Sequence, residues 1–234
     1  GAFDRYAASP RSTKMAPLDS PATLDLDAAF VHLAAADPVL AALLERSRPV
    51  PPRREYALFH DLVSAIVSQQ LSGKAAETIM RRLHEAVAPG AEITPEAILR
   101  TDHETLRAAG LSNAKARYVR GLAEAVAEGT LDLEALPALG DDEVVGQLTR
   151  VKGIGRWTAE MILLFSLARP DVLSTGDLGI RTAVMRHYGL PALPAPAELE
   201  AIAERWRPHR SAALLVLWHS LDNRPAIDAG DSGS

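Results

Sequence analysis

Apolar residues recur at three- and four-residue intervals along most of the chain, the period of an amphipathic helix, while the strict alternation of a half-buried strand is scarce. Ala and Leu dominate these stretches, and Pro or Gly interrupts them at short intervals. The pattern predicts one helix over residues 27–45, with Asp27 near its start and Pro49, Pro51 and Pro52 breaking the chain after it. A second follows over 56–70, with Leu58, Leu62, Ala65 and Ile66 on one stripe, and a third over 72–87 before the Pro89-Gly90 breaker. Short helices are predicted over 94–99 and 102–108, with Thr94 and Thr101 at capping positions. Further helices are predicted over 113–128, 141–149, 156–167, 177–187, 198–205 and 211–219. There is no heptad repeat, low-complexity run or series of strands. The expected fold is therefore all-α, a bundle of short helices in two lobes.

Composition narrows the picture. The 234 residues are 47% hydrophobic, enough for one or two closely packed domains. No apolar run is long enough to span a bilayer, so no membrane partner is expected, and the N-terminus lacks the pattern of a secretory signal. Residues 1–14 are polar and aperiodic. They read as a disordered expression-tag remnant before a natural start at Met15, or else as a natural disordered tail, which leaves 15–234 as the folded part. Cys is absent, which excludes disulfides, zinc–thiolate sites and iron–sulfur clusters and fits a reducing cytoplasm. His32, His60, His84, His103 and His187 have no metal-ligand spacing and read as surface or satisfied core residues.

The formal charge is −5, and setting aside Arg5, Arg11, Lys14 and Asp4 makes it about −7. Such an average argues against nucleic acid as a partner, but docking depends on the local field. Between 149 and 187 the bases are Arg150, Lys152, Arg156, Arg169, Arg181 and Arg186, against the acids Glu160, Asp171 and Asp177. The acidic excess lies elsewhere, as at Asp141, Asp142 and Glu143.

That basic stretch contains the most informative pattern. Over 141–167, two predicted helices flank Val151-Lys152-Gly153-Ile154-Gly155. The glycines permit a tight turn with bare backbone, and Ile154 between them can tuck between the helices. The first N–H groups of the second helix, ahead of Arg156, then face outward beside a partial positive charge, where a phosphate docks by backbone contact. The hairpin carbonyls of Thr149, Val151 and Ile154 suit a Na+ or K+ ion bridging to that phosphate; no other cofactor is expected. An ordinary αα-hairpin with glycines in its turn is the other interpretation.

The hairpin, followed by Leu173-Ser174-Thr175-Gly176-Asp177-Leu178-Gly179-Ile180-Arg181, resembles the helix-hairpin-helix DNA glycosylase superfamily, most nearly its 3-methyladenine DNA glycosylase II branch. Segments 66–72 (IVSQQLS), 106–120 (LRAAGLSNAKARYVR), 153–159 (GIGRWTA) and 206–211 (WRPHRS) resemble the same branch, so the likeness spans 25–222. It implies an active-site cleft between the lobes, double-stranded DNA with damaged bases as partner, action as a monomer, and a compact form without the N-terminal β-domain of some members. It also implies that Asp177 is the essential carboxylate, beneath C1′ of a flipped nucleotide, where it opposes the positive charge of glycosidic bond hydrolysis. Position alone makes Asp177 a helix N-cap, with Arg181 one turn on as an expected partner.

Trp157 and Met161, at i and i+4, share a helix face and are candidates to line the base pocket. The resemblance adds Trp218, with His219 where the family often has Tyr. An indole face attracts the flat cation of an alkylated purine; core filling is the other role open to both Trp residues. Gln70 and Leu71, at the expected end of a helix, match the family's wedge into the base stack, although Leu71 equally fits a core. Ser112, Lys115 and Arg117 match a second phosphate-contact element or are simply a solvated helix start. Lyase members carry Lys two residues after the second hairpin glycine, where this chain has Trp157, so monofunctional hydrolysis is expected. A glycosylase for another lesion class and a non-catalytic DNA-binding module are the competing functions. The module needs neither Asp177 nor a pocket.

Overall fold

The computed structural model describes residues 24–49 and 57–222. The tag remnant expected at 1–14, and Tyr56 at the start of an expected helix, lie outside the described residues. The helices in chain order are α1 (Leu26–Ala36), α2 (Pro38–Arg46), α3 (Leu58–Ser68), α4 (Gly73–Val87), α5 (Pro95–Arg100), α6 (His103–Ala108), α7 (Asn113–Ala127), α8 (Asp141–Leu148), α9 (Arg156–Met161), α10 (Leu178–His187), α11 (Pro196–Ala203) and α12 (Arg210–Asp222). Among the described residues there is no strand, and no helix long and apolar enough to cross a membrane. The chain divides into two compact units: 24–49 with 170–222, and 57–169.

In the first unit, the single helix expected over 27–45 is two helices, and Asp25 rather than Asp27 caps the first. The break is at Asp37-Pro38. The Asp37 N–H closes α1 on Leu33 O at 2.9 Å, and Asp37 Oδ1 accepts from the Val39 and Leu40 N–H groups at 2.9 and 3.3 Å to open α2. Pro38 takes the first helical position, where a missing N–H costs nothing. Asp37 Oδ2 accepts from Tyr188 Oη at 2.6 Å and Trp206 Nε1 at 2.9 Å. Asp37 is fully buried, which a carboxylate tolerates only when its oxygens are hydrogen-bonded. Helix α12 is buried on all sides from Ser211 to Trp218 and packs against α10, α2 and α1, as an all-round apolar helix must. His32 departs from the expected satisfied histidines: its Nε2 is buried without a hydrogen-bond partner, and its ring meets His209 edge-on at 5.1 Å.

In the second unit, α3 is buried along most of its length and packs against α4, α7 and residues 162–166. It ends at Ser68 instead of running to residue 70, because the chain turns there: the Leu71 N–H reaches Ser68 O at 3.2 Å and Gln70 adopts φ +58°. Thr94 caps α5 as expected, whereas Thr101 closes α5, and Asp102 caps α6 by accepting the Thr105 N–H at 2.7 Å. The helix expected over 156–167 is α-helical only to Met161, and Ile162–Ser166 widens into a π-helix. The wider turn delivers Arg169 to the carbonyls of Pro137 (2.9 Å) and Leu139 (2.7 Å) and places its Nε 3.5 Å from Asp141.

The Asp37 node predicts the effect of its removal. Asp37→Ala leaves the buried Tyr188 hydroxyl and Trp206 N–H unpaired and uncaps α2, so chemical denaturation should show a loss of about 2–4 kcal/mol. Burial and the bond to Asp37 raise the Tyr188 pKa above its ordinary 10.0. The folded state therefore holds a proton that the unfolded chain loses. Stability from this group is complete below pH 10 and declines above it, and Tyr188→Phe should remove that alkaline decline.

Candidate active site

Asp177 is the N-cap of α10 in the first unit: its Oδ1 accepts the Ile180 N–H at 2.7 Å. The same oxygen accepts Trp218 Nε1–H, from α12, at 3.0 Å. Asp177 is 4% exposed and Trp218 3%, so this is a buried, oriented carboxylate and not a solvated cap. Gly179 makes the approach possible. A Cβ there would lie 3.0 Å from Asp177 Oδ1 and 3.3 Å from Trp218 Cδ1 and Nε1. The Arg181 guanidinium does not take the expected place beside Asp177; its Nε donates to Pro194 O at 3.0 Å. His219, after Trp218, pairs through Nε2 with Ser47 Oγ at 2.7 Å.

The loop leading to Asp177 is tied to the start of α12. Arg210 donates from Nε to Asp171 Oδ1 at 2.8 Å and from Nη2 to Asp171 Oδ2 at 2.9 Å, and Arg207 Nη1 reaches Oδ2 at 2.6 Å. The Val172 N–H donates to Ser211 Oγ at 2.9 Å, and the Ser211 N–H to Pro170 O at 3.1 Å. One helix thus anchors the loop at its first turn and supplies Trp218 two turns later. These contacts account for the 206–211 segment that sequence comparison alone left without a job.

The hairpin belongs to the second unit. Ile154 is buried and its N–H closes the turn on Val151 O at 3.0 Å. The glycines differ. Gly153 has φ +97°, and a Cβ there would come within 2.5 Å of the Tyr118 ring, so glycine is required for the fold. Gly155, the exposed N-cap of α9, has ordinary backbone angles, and a Cβ there would meet nothing within 4 Å. The protein itself sets no demand for glycine at 155.

Arg156 is exposed, and its Nε bonds Glu160 Oε1 at 2.9 Å. Trp157 is half-buried and Met161 is 1% exposed. Gln70 is exposed and Leu71 half-buried. Ser112 caps α7, and Arg117 is exposed. Lys115 does not point its ammonium at solvent: Nζ donates to Val67 O at 2.7 Å and Gln69 O at 2.6 Å, and burial lowers its pKa. Two residues of this site were missed from sequence: Gln69, whose Nε2 donates to Gly153 O at 2.8 Å, and Tyr118, which backs Gly153.

The structure therefore joins Asp177 with Trp218 in one unit and the 69–71 turn with the hairpin in the other. Comparison with known proteins places the whole chain. The chain is 36% identical over 197 residues to DNA-3-methyladenine glycosylase 1 of Schizosaccharomyces pombe, covering 82% of this chain and 86% of that one. It is 32% identical to the Bacillus subtilis protein YfjP, covering 78% of this chain and 66% of that one. The structure of Schizosaccharomyces pombe 3-methyladenine DNA glycosylase Mag1 in complex with abasic DNA superposes with a TM-score of 0.75 at 34% identity, over 83% of this chain and 97% of that chain. The model of the HhH-GPD superfamily of base excision DNA repair proteins matches residues 63–208, which include the hairpin and Asp177, and the chain belongs to that superfamily.

Proposed function

We propose that the protein is a monofunctional DNA glycosylase that extrudes alkylated purines of the 3-methyladenine and 7-methylguanine type from duplex DNA and hydrolyses their N-glycosidic bond. The observation that carries this reading is the buried Asp177 carboxylate, oriented by N–H donors from two helices. As the C1′–N bond breaks, its electron pair leaves with the base and positive charge builds on the sugar. A fixed carboxylate opposes that charge, orients the water whose oxygen bonds to C1′ and accepts the proton that water loses. An alkylated, cationic base is already a good leaving group, so no second acid is demanded. Relatives named for 3-methyladenine, one solved with abasic DNA, support the substrate class.

In this reading the backbone at Gly155 receives a phosphate, because the space a Cβ would take is open. Gln70 or Leu71 fills the gap left by the extruded base, and Trp157, Met161 and Trp218 contribute to holding that base. The carbonyls of Thr149, Val151 and Ile154 are three neutral oxygens, a donor set that suits Na+ or K+; such an ion adds positive charge beside the phosphate. The protein acts as a monomer in the cytoplasm, at the nucleoid if the organism is bacterial.

Three outcomes test the proposal. The wild-type protein releases 3-methyladenine and 7-methylguanine from methylated duplex DNA. Asp177→Asn, which keeps the shape and loses the charge, reduces single-turnover release on the order of a hundredfold or more, with DNA affinity retained. Trp218→Phe, which removes the indole donor, reduces it less. A rate for Asp177→Asn within a few-fold of wild type would refute the assignment. The hairpin glycines should separate by assay. Gly153→Ala lowers the melting temperature through its clash with Tyr118, whereas Gly155→Asp melts like wild type but binds DNA several-fold more weakly at moderate salt, by about 1 kcal/mol or more. Finally, borohydride traps no covalent complex with the abasic product, because Trp157 stands where a lyase has its amine.

A further inference from the structure

The 68–71 turn carries a conformational contradiction. Gln69 has φ −52° and ψ 131°, Gln70 has φ +58°, and the Leu71 N–H closes on Ser68 O. This is the pattern of a type II turn, whose second central position favours glycine. A glutamine held there is strained and persists only when its surroundings impose it. Here they do so through the preceding residue. The Lys115 ammonium grips Val67 O and Gln69 O, and the Gln69 side chain donates to Gly153 O of the hairpin. Three residues after Lys115, on the same face of α7, Tyr118 packs directly against Gly153. One helix face therefore holds the turn with Lys115 and backs the hairpin with Tyr118, while Gln69 joins the two.

We propose that Gln69 and Lys115 are positioning residues for base extrusion. They lock the turn that displays the exposed Gln70 to the hairpin that docks a phosphate, so that seating the phosphate sets the register of Gln70 against the base to be displaced. This rests on the glycosylase reading above and adds the coupling between its two DNA-contact elements. Neither residue touches the reacting atoms. Both act by fixing where Gln70 sits, and the energy at stake is that of unpairing and unstacking one base.

The test is single-turnover release of 7-methylguanine from two duplexes. In one the lesion is paired with cytosine; in the other it lies in a bulge with no partner to displace. Gln69→Glu keeps the side-chain length and loses the donor to Gly153 O. Its rate on the paired lesion should fall on the order of ten- to a hundredfold, with a several-fold smaller loss on the bulge. Lys115→Met should repeat this pattern, and Lys115→Arg, which keeps a cation facing the same carbonyls, should return part of the rate. Gln69→Asn keeps an amide donor but stops short of Gly153; it decides the question if Gln69→Glu does not melt cooperatively. Equal losses on both duplexes, the signature of a merely structural role, overturn the proposal, as does a wild-type rate on the paired lesion. A wild-type protein inactive on both duplexes overturns the glycosylase reading itself.

Discussion

The bond from Trp218 Nε1 to Asp177 Oδ1 is the contact around which the first unit is arranged. It requires α10 to begin where the indole of α12 ends, and a side chain at 179 would crowd both partners. The Asp171–Arg210 pair and the Ser211 hydroxyl bind the loop before Asp177 to the first turn of α12, so the carboxylate and its indole donor are referenced to one helix. Elsewhere in the unit, Asp37 meets the Tyr188 hydroxyl and the Trp206 indole. Both aspartates follow one rule: a carboxylate is admitted to the interior where N–H and O–H donors have been placed to meet it.

The second unit solves a different problem, holding backbone in strained or bare conformations at a surface. Its devices are short: a glycine at positive φ against a tyrosine ring, a lysine on the carbonyls at the end of α3, and an amide bridging two loops. The two hairpin glycines show why a motif cannot be read as a unit. Gly153 is explained by the fold, through its φ and Tyr118. Gly155 is explained by neither φ nor packing.

An N-cap aspartate is by itself a commonplace, and a glycine-containing hairpin is too. What separates this chain from a plain DNA-binding module is that the N-cap is buried and shares its oxygen with a tryptophan from another helix. A cap that served only its helix would gain nothing from a second donor or from excluding water, whereas a carboxylate that must face a developing cation gains from both. The acidic net charge does not oppose this, since backbone amides hold a phosphate without a basic side chain, and Arg150 and Lys152 beside the hairpin are exposed. Lys115 and Arg169, by contrast, are engaged with backbone carbonyls.

The sequence by itself determined that the chain is helical, because a 3.6-residue apolar period and Pro/Gly punctuation are local and survive in any window. It determined the hairpin and its glycines, the aspartate after the Gly-containing loop, and the absence of cysteine and of a lysine at 157, since each is a matter of residue identity and spacing. It did not show the break at Asp37, where one polar residue inside an apolar stripe looks like any solvated position until Tyr188, 151 residues away, supplies its partner. Nor did it show that the 156–167 helix would widen at Ile162, or that Lys115 would turn inward. Only the tertiary structure decided these, along with the Asp177–Trp218 bond across 41 residues and the Gln69–Gly153 bond across 84. The physical reason is common to all of them. A buried donor or acceptor must be paired, but which distant group pairs with it is set by how the helices pack, and helix packing depends on surfaces that no single stretch of sequence contains.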